Sequence, residues 1–116
     1  MKAINIFLSD KIRLHPLEFT SDGLGMATGP YTILDPDVVD EVFEGALLEA
    51  LAHSRSGVPR RALTKEEEKA YYRALGIKSH RELGIGADVT EENGQYTVTP
   101  VDKRGLFGKP VRVKKE

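Results

Sequence analysis

The sequence predicts an α+β domain in which two main helices pack on one face of an antiparallel β-sheet, in the order strands, helix, helix, β-meander. Three observations carry that expectation. Residues 2–8, KAINIFL, alternate so that Ile4, Ile6 and Leu8 share one face of a strand. From Val39 to Leu51, apolar residues recur at three- and four-residue spacing, the stripe of an amphipathic helix. Further on, ADVTEENGQYTVTPV holds Asn93–Gly94 between two alternating runs, the pair that favours a two-residue type I′ hairpin turn.

The remaining elements follow in chain order. After a turn at Ser9–Asp10, Ile12 and Leu14 continue the strand pairing. GLGMATGPYTIL is punctuated by glycine and reads as one or two short strands, around 24–28 and 31–34. The first helix has Asp35 as N-cap and Pro36 at its first position. Asp37, Asp40 and Glu41 then meet the positive end of the helix dipole. Its core stripe is Val39, Val42, Phe43, Ala46, Leu47, Ala50 and Leu51. The helix ends in LAHSRSGVPRR, where Arg55 faces the negative terminus, Gly57 takes a left-handed conformation and Pro59 blocks continuation. Arg55, Arg60 and Arg61 therefore do not read as a phosphate cradle, which needs backbone N–H groups at a helix N-terminus.

Thr64 and Glu67 form a T-x-x-E capping box for the second helix, with Ala70, Tyr71, Ala74 and Leu75 on its apolar side and Gly76 as its stop. Ser79 and Glu82 repeat the signature for a short helical turn. In the hairpin, a two-residue loop sets Glu92 opposite Gln95, Glu91 opposite Tyr96 and Val89 opposite Val98. A turn at Asp102–Gly105 leads to LFGKPVRV, a last strand placed at a sheet edge by Pro110.

At 116 residues the chain reads as one domain, 1–116. No apolar run approaches the roughly 18 residues of a membrane span, and the N-terminal apolar run is too short for a secretory signal. With no cysteine, disulfide and thiolate chemistry are excluded, and a reducing compartment such as the cytoplasm is permitted. Net charge is −1, so no global field draws the chain to nucleic acid. The charges are nevertheless segregated. Between Arg13 and Arg55 there are eight acids and no Lys or Arg, whereas the final VDKRGLFGKPVRVKKE is basic. Such asymmetry points to a charged partner.

No catalytic or cofactor motif is spelled out. His15, His53 and His80 lack His or Cys partners at metal-ligand spacing, so neither a metal nor a cofactor is expected. The glycines of GLGMATG match no phosphate-binding pattern and serve turns. Two surfaces remain. Asp37, Asp40, Glu41 and Glu44 have i, i+3 and i+4 spacing, and each exposed like-charge pair costs about a few tenths of a kcal/mol. They are either a solvated face or a docking surface for a basic protein. The basic tail is either a protected sheet edge or a nucleic-acid contact, the alternative function.

GALLEALAHSRSGVPRR followed by ALGIKSHRELGIGADVTEENGQYTVTPVDKRG resembles a pattern of bacterial immunity proteins from contact-dependent growth inhibition systems. The pattern is a helix ending in A-L-x-x-S-R-x-G-V-P, then G-[IV]-K-S, then a strand pair with V-T-P. Here it falls on Ala50, Leu51, Ser54, Arg55, Gly57, Val58 and Pro59, then Gly76–Ser79, then Val98–Pro100. It spans roughly residues 45–105, and residues 1–35 lie outside it. The resemblance implies a non-catalytic cytoplasmic protein that binds, one to one, the C-terminal toxin domain of a matching exoprotein and neutralises it. Many such toxins are nucleases. The family carries over no binding residues. The acidic set Asp37, Asp40, Glu41 and Glu44 is chosen because a nuclease surface is basic and opposite charge speeds association. Strand addition at a sheet edge, the stretch around 106–113 being a candidate, stays open as the other binding mode.

Overall fold

The computed structural model describes residues 2–59 and 64–101. Its elements are β1 (Lys2–Leu8), β2 (Ile12–Thr20), β3 (Gly25–Ala27), β4 (Thr32–Leu34), α1 (Asp40–His53), β5 (Arg55–Val58), α2 (Lys65–Leu75), a 3-10 turn at His80–Leu83, β6 (Ile85–Glu92) and β7 (Gln95–Val101). This is an α+β fold, with two helices on a seven-stranded sheet of order β3-β2-β1-β6-β7 in which β4 and β5 also pair with β2. The ladders are antiparallel except for β2–β5, which is parallel. The expected third strand of the meander, around 106–113, lies outside the described residues, as do Arg60 and Arg61.

The two helices lie on opposite faces of the sheet, not on one as the strand alternation implies. Register settles this. Ile4, Ile6 and Leu8 pair with Pro16, Leu14 and Ile12, and Ile4 with Val89, so these residues share a face. α1 covers it: Ala50 and Leu51 join Ile4, Leu14 and Val89 in one core, flanked by Phe43, Ala46 and Leu47. Asn5 and Phe7 pair with His15 and Arg13 on the other face. There Phe7 packs with Tyr71, Leu75, Ile77 and Leu83. The in-between residues of β1 are therefore buried as well. Reading the strand as one-sided missed this because β2, IRLHPLEFT, hides its second buried face under an arginine and a histidine.

α1 begins at Asp40, later than expected, with Val39 as N-cap and no side-chain cap bond. Asp35 instead closes a turn through its carbonyl, which accepts from Val38 N at 3.1 Å, and its carboxylate pairs with Lys11. Pro36 and Asp37 thus precede the helix. Val39 and Val42, expected in the core, are exposed at 63% and 50%. The reason is length. Ser54, at the other end of α1, accepts from Ala3 N at 2.9 Å and donates to Leu17 O at 2.7 Å, so α1 runs antiparallel to β1. From Leu51 back to Val39 the helix covers about 18 Å, while Ile4 to Leu8 covers only about 13 Å of strand. The first turn of α1 overhangs the sheet.

The end of α1 also differs from expectation. The helix stops at His53, and Arg55–Val58 forms β5 beside β2. Arg55 does not face the helix terminus; its guanidinium pairs with the Glu18 carboxylate, which is 3% exposed. The cation that does meet a helix C-terminus is Arg13, whose Nε donates to Leu75 O of α2 at 2.7 Å. Several local signals of the second half stand as read among the described residues, although Ala70 and Ala74, read on the apolar side of α2, are exposed and only Tyr71 and Leu75 are buried. Thr64 Oγ1 accepts from Glu67 N at 3.1 Å, Gly76 is left-handed at φ 67°, and the Glu82 carboxylate accepts from Ser79 N at 3.0 Å. Asn93 and Gly94 both have positive φ, and the β6–β7 register is the expected one. Between the 3-10 turn and β6, Gly84 has φ +80°, and a Cβ there would lie 2.2 Å from Leu8 O, so only glycine fits.

Candidate partner-binding surface

Asp37, Asp40, Glu41 and Glu44 are all exposed. Asp37 sits in the loop before α1, and the other three lie on its first turns. Among the described residues none of the four forms an ion pair. Asp40 and Glu44 are one turn apart, so their mutual repulsion is unrelieved. The structure therefore brings the four to one end of α1, three on the helix and one on its approach.

Apolar side chains share that end. Leu8 and Ile85, exposed at 48% and 66%, are direct cross-strand partners on the α1 face. Ile12, beside Leu8 across the β1–β2 ladder, pairs with Leu34, after which the chain turns into α1. Val39 and Val42, also exposed, stand at the first turn of α1 among the carboxylates, at the end of the helix that runs toward the Leu8 end of β1. Sequence spacing pointed to the carboxylates but assigned the two valines to the core. Comparing helix length with strand length was the available signal.

The histidines are dispersed. His53 is exposed on α1, and its Nδ1 donates to Glu49 O at 2.9 Å. His15 is fully buried on the α2 face. Its Nδ1 lies 2.9 Å from Pro16 O, which only accepts, so Nδ1 carries the hydrogen and Nε2 accepts from the Tyr71 hydroxyl at 2.9 Å. Burial pushes its pKa down to about 4 and the Tyr71 phenol well up. Tyr31, Phe7 and Tyr71 pack around the imidazole, with centroids 5.2 to 6.1 Å away. His80 stacks edge-on against Tyr72 at 5.0 Å. Beside His15, Asn5 donates to the Asp88 carboxylate, and burial raises the Asp88 pKa against that bond. These groups make a bonded aromatic and polar layer. Among the described residues no group of three or more His, Cys, Asp or Glu could hold a metal.

The residues that carry the family resemblance are frame positions. Ala50 and Leu51 are core, Ser54 ties α1 to β1 and β2, Arg55 pairs with Glu18, Gly57 has φ +74°, and Gly76 ends α2. The basic stretch 103–115 lies outside the described residues.

Comparison with known proteins places the fold. No family model and no curated protein matches the chain. Among solved structures it is similar to "Protein of Unknown Function NMB0488 from Neisseria meningitidis", with a TM-score of 0.70 at 18% identity over 97% of this chain and 79% of that one. At that identity the likeness concerns architecture alone. No helix among the described residues is long and apolar enough to cross a membrane.

Proposed function

We propose that this chain is a cytoplasmic, non-catalytic immunity protein that binds the toxin domain of a matching contact-dependent growth inhibition exoprotein and blocks it in a one-to-one complex. One observation carries the reading: Asp37, Asp40, Glu41 and Glu44 form an exposed anionic surface in which none of the four is in an ion pair among the described residues. Unrelieved repulsion at a surface is released when a basic partner docks, and the same charges steer the encounter. A nuclease-type toxin offers that basic surface because it must hold a polyanion. The resemblance over residues 45–105 supports the same reading through the frame that presents α1.

The test is association kinetics with the toxin domain of the matching exoprotein. D40K/E44K is expected to slow association by about tenfold at low salt and much less at high salt. A toxin domain that binds the variant as fast as the parent at low salt would remove the acidic surface from the mechanism. No binding to the parent chain would remove the immunity reading, and salt-sensitive oligonucleotide binding would then favour the basic tail.

A further inference from the structure

Half of the large apolar side chains that stand exposed among the described residues belong to neighbouring parts of the fold, the Leu8–Ile85 pair at the end of β1 and Val39 and Val42 at the start of α1, which runs antiparallel to β1. Leu24, Ile33, Leu48 and Tyr96 are elsewhere. An apolar centre inside a charged rim is the anatomy of a protein-docking surface. Among the described residues the unpaired charges of the rim are acidic. Asp37 and Asp40 flank the valines, Glu41 and Glu44 continue along α1, and the nearby cations are engaged, Lys11 by Asp35 and Arg13 by Asp10 and Leu75 O.

We infer that Leu8, Ile85, Val39 and Val42 form an apolar ledge, the centre of a docking site for a basic protein surface that projects apolar side chains, with the carboxylates as its rim. The inference rests on the proposed immunity function for the partner's identity but not for the site. Division of labour follows from position. The rim charges act at a distance and govern the rate of encounter; the ledge makes contact only in the finished complex and governs its lifetime.

The experiment uses the full chain with two probes. First, a short amphipathic lysine–leucine peptide is titrated and backbone amides are followed by NMR. Shifts centred on Leu8, Val39, Val42 and Ile85 that fade with salt are expected. Shifts elsewhere, or none, would overturn the ledge. Second, V42S and I85T are tested against the toxin domain of the matching exoprotein. Both residues are exposed, so unchanged thermal melting is expected, together with dissociation faster by about tenfold and association little changed. A bound toxin indifferent to both variants would overturn the ledge and leave the immunity reading standing. A peptide seated on the ledge with no toxin binding would overturn the immunity reading and leave the ledge. Concentration-dependent self-association lost in V42S would assign the ledge to a second copy, and contacts there from residues 102–116 would assign it to the chain's own tail; either overturns the proposal.

Discussion

The two faces of the sheet are held by different physics. Under α1 the core cluster is apolar, Ile4, Leu14, Ala50, Leu51 and Val89, with the buried Glu18 carboxylate, in the same alternation of β2 as Leu14, paired to Arg55 just past the end of the helix. Under α2 the core interleaves with bonded polar groups, His15 to Tyr71 and Arg13 to Leu75 O. One face is specified by volume, the other also by geometry and protonation. The difference teaches where the molecule responds to which perturbation.

The largest expected effect is on the volume side. Leu51→Ala should cost roughly 2–5 kcal/mol, since a 5%-exposed leucine leaves a cavity between α1 and the sheet. Chemical denaturation at pH 5 and pH 7 should return the same cost. A cost that changes with pH would break the contrast between faces.

Next comes acid. The folded His15 pKa of about 4 lies below its ordinary 6.5, so the unfolded chain takes up the proton first. The stabilisation from neutral, buried His15 is complete above pH 6.5 and is lost as pH falls toward 4. It amounts to up to about 3 kcal/mol. His15→Asn should flatten the pH dependence of unfolding free energy across that window, whatever its baseline stability. Equal slopes for variant and parent would show that folding does not lower the His15 pKa.

Arg13→Lys should have the smallest effect of the three, about 1.5–3 kcal/mol, because an ammonium keeps the charge but lacks the forked donors that reach Leu75 O and Asp10 together. Hydrogen exchange would localise the damage to the last turn of α2. Fraying in α1 instead would mean that the two layers are coupled more tightly than their contacts imply.

Much of the fold was legible where the signal is local. Asn93–Gly94 sets the β6–β7 register because a two-residue turn leaves no freedom, and Thr64 and Gly76 bound α2 by backbone chemistry alone. What was not legible depends on distant residues. Arg55 finds Glu18, and Ser54 finds Ala3 and Leu17, only once β5 lies beside β2. The second buried face was masked because Arg13 and His15 look like surface residues until Leu75 O and Tyr71 supply their bonds. In the candidate surface, the spacing of Asp40, Glu41 and Glu44 on one helix was legible, whereas Asp37 falls before the helix. The valines beside them were misread because a periodic stripe does not reveal where the sheet beneath it stops.

Ser54 carries a consequence for how the chain is assembled. Its hydroxyl joins the end of α1 to two strands, accepting from Ala3 and donating to Leu17. Both bonds span long stretches of chain, so the two coexist only when β1, β2 and α1 have met. A single small side chain thereby acts as a late checkpoint: chains in which α1 docks out of step leave two backbone groups unanswered in a closed space. The penalty falls on misplaced helices and spares the native one, which narrows the set of compact states that compete with the fold.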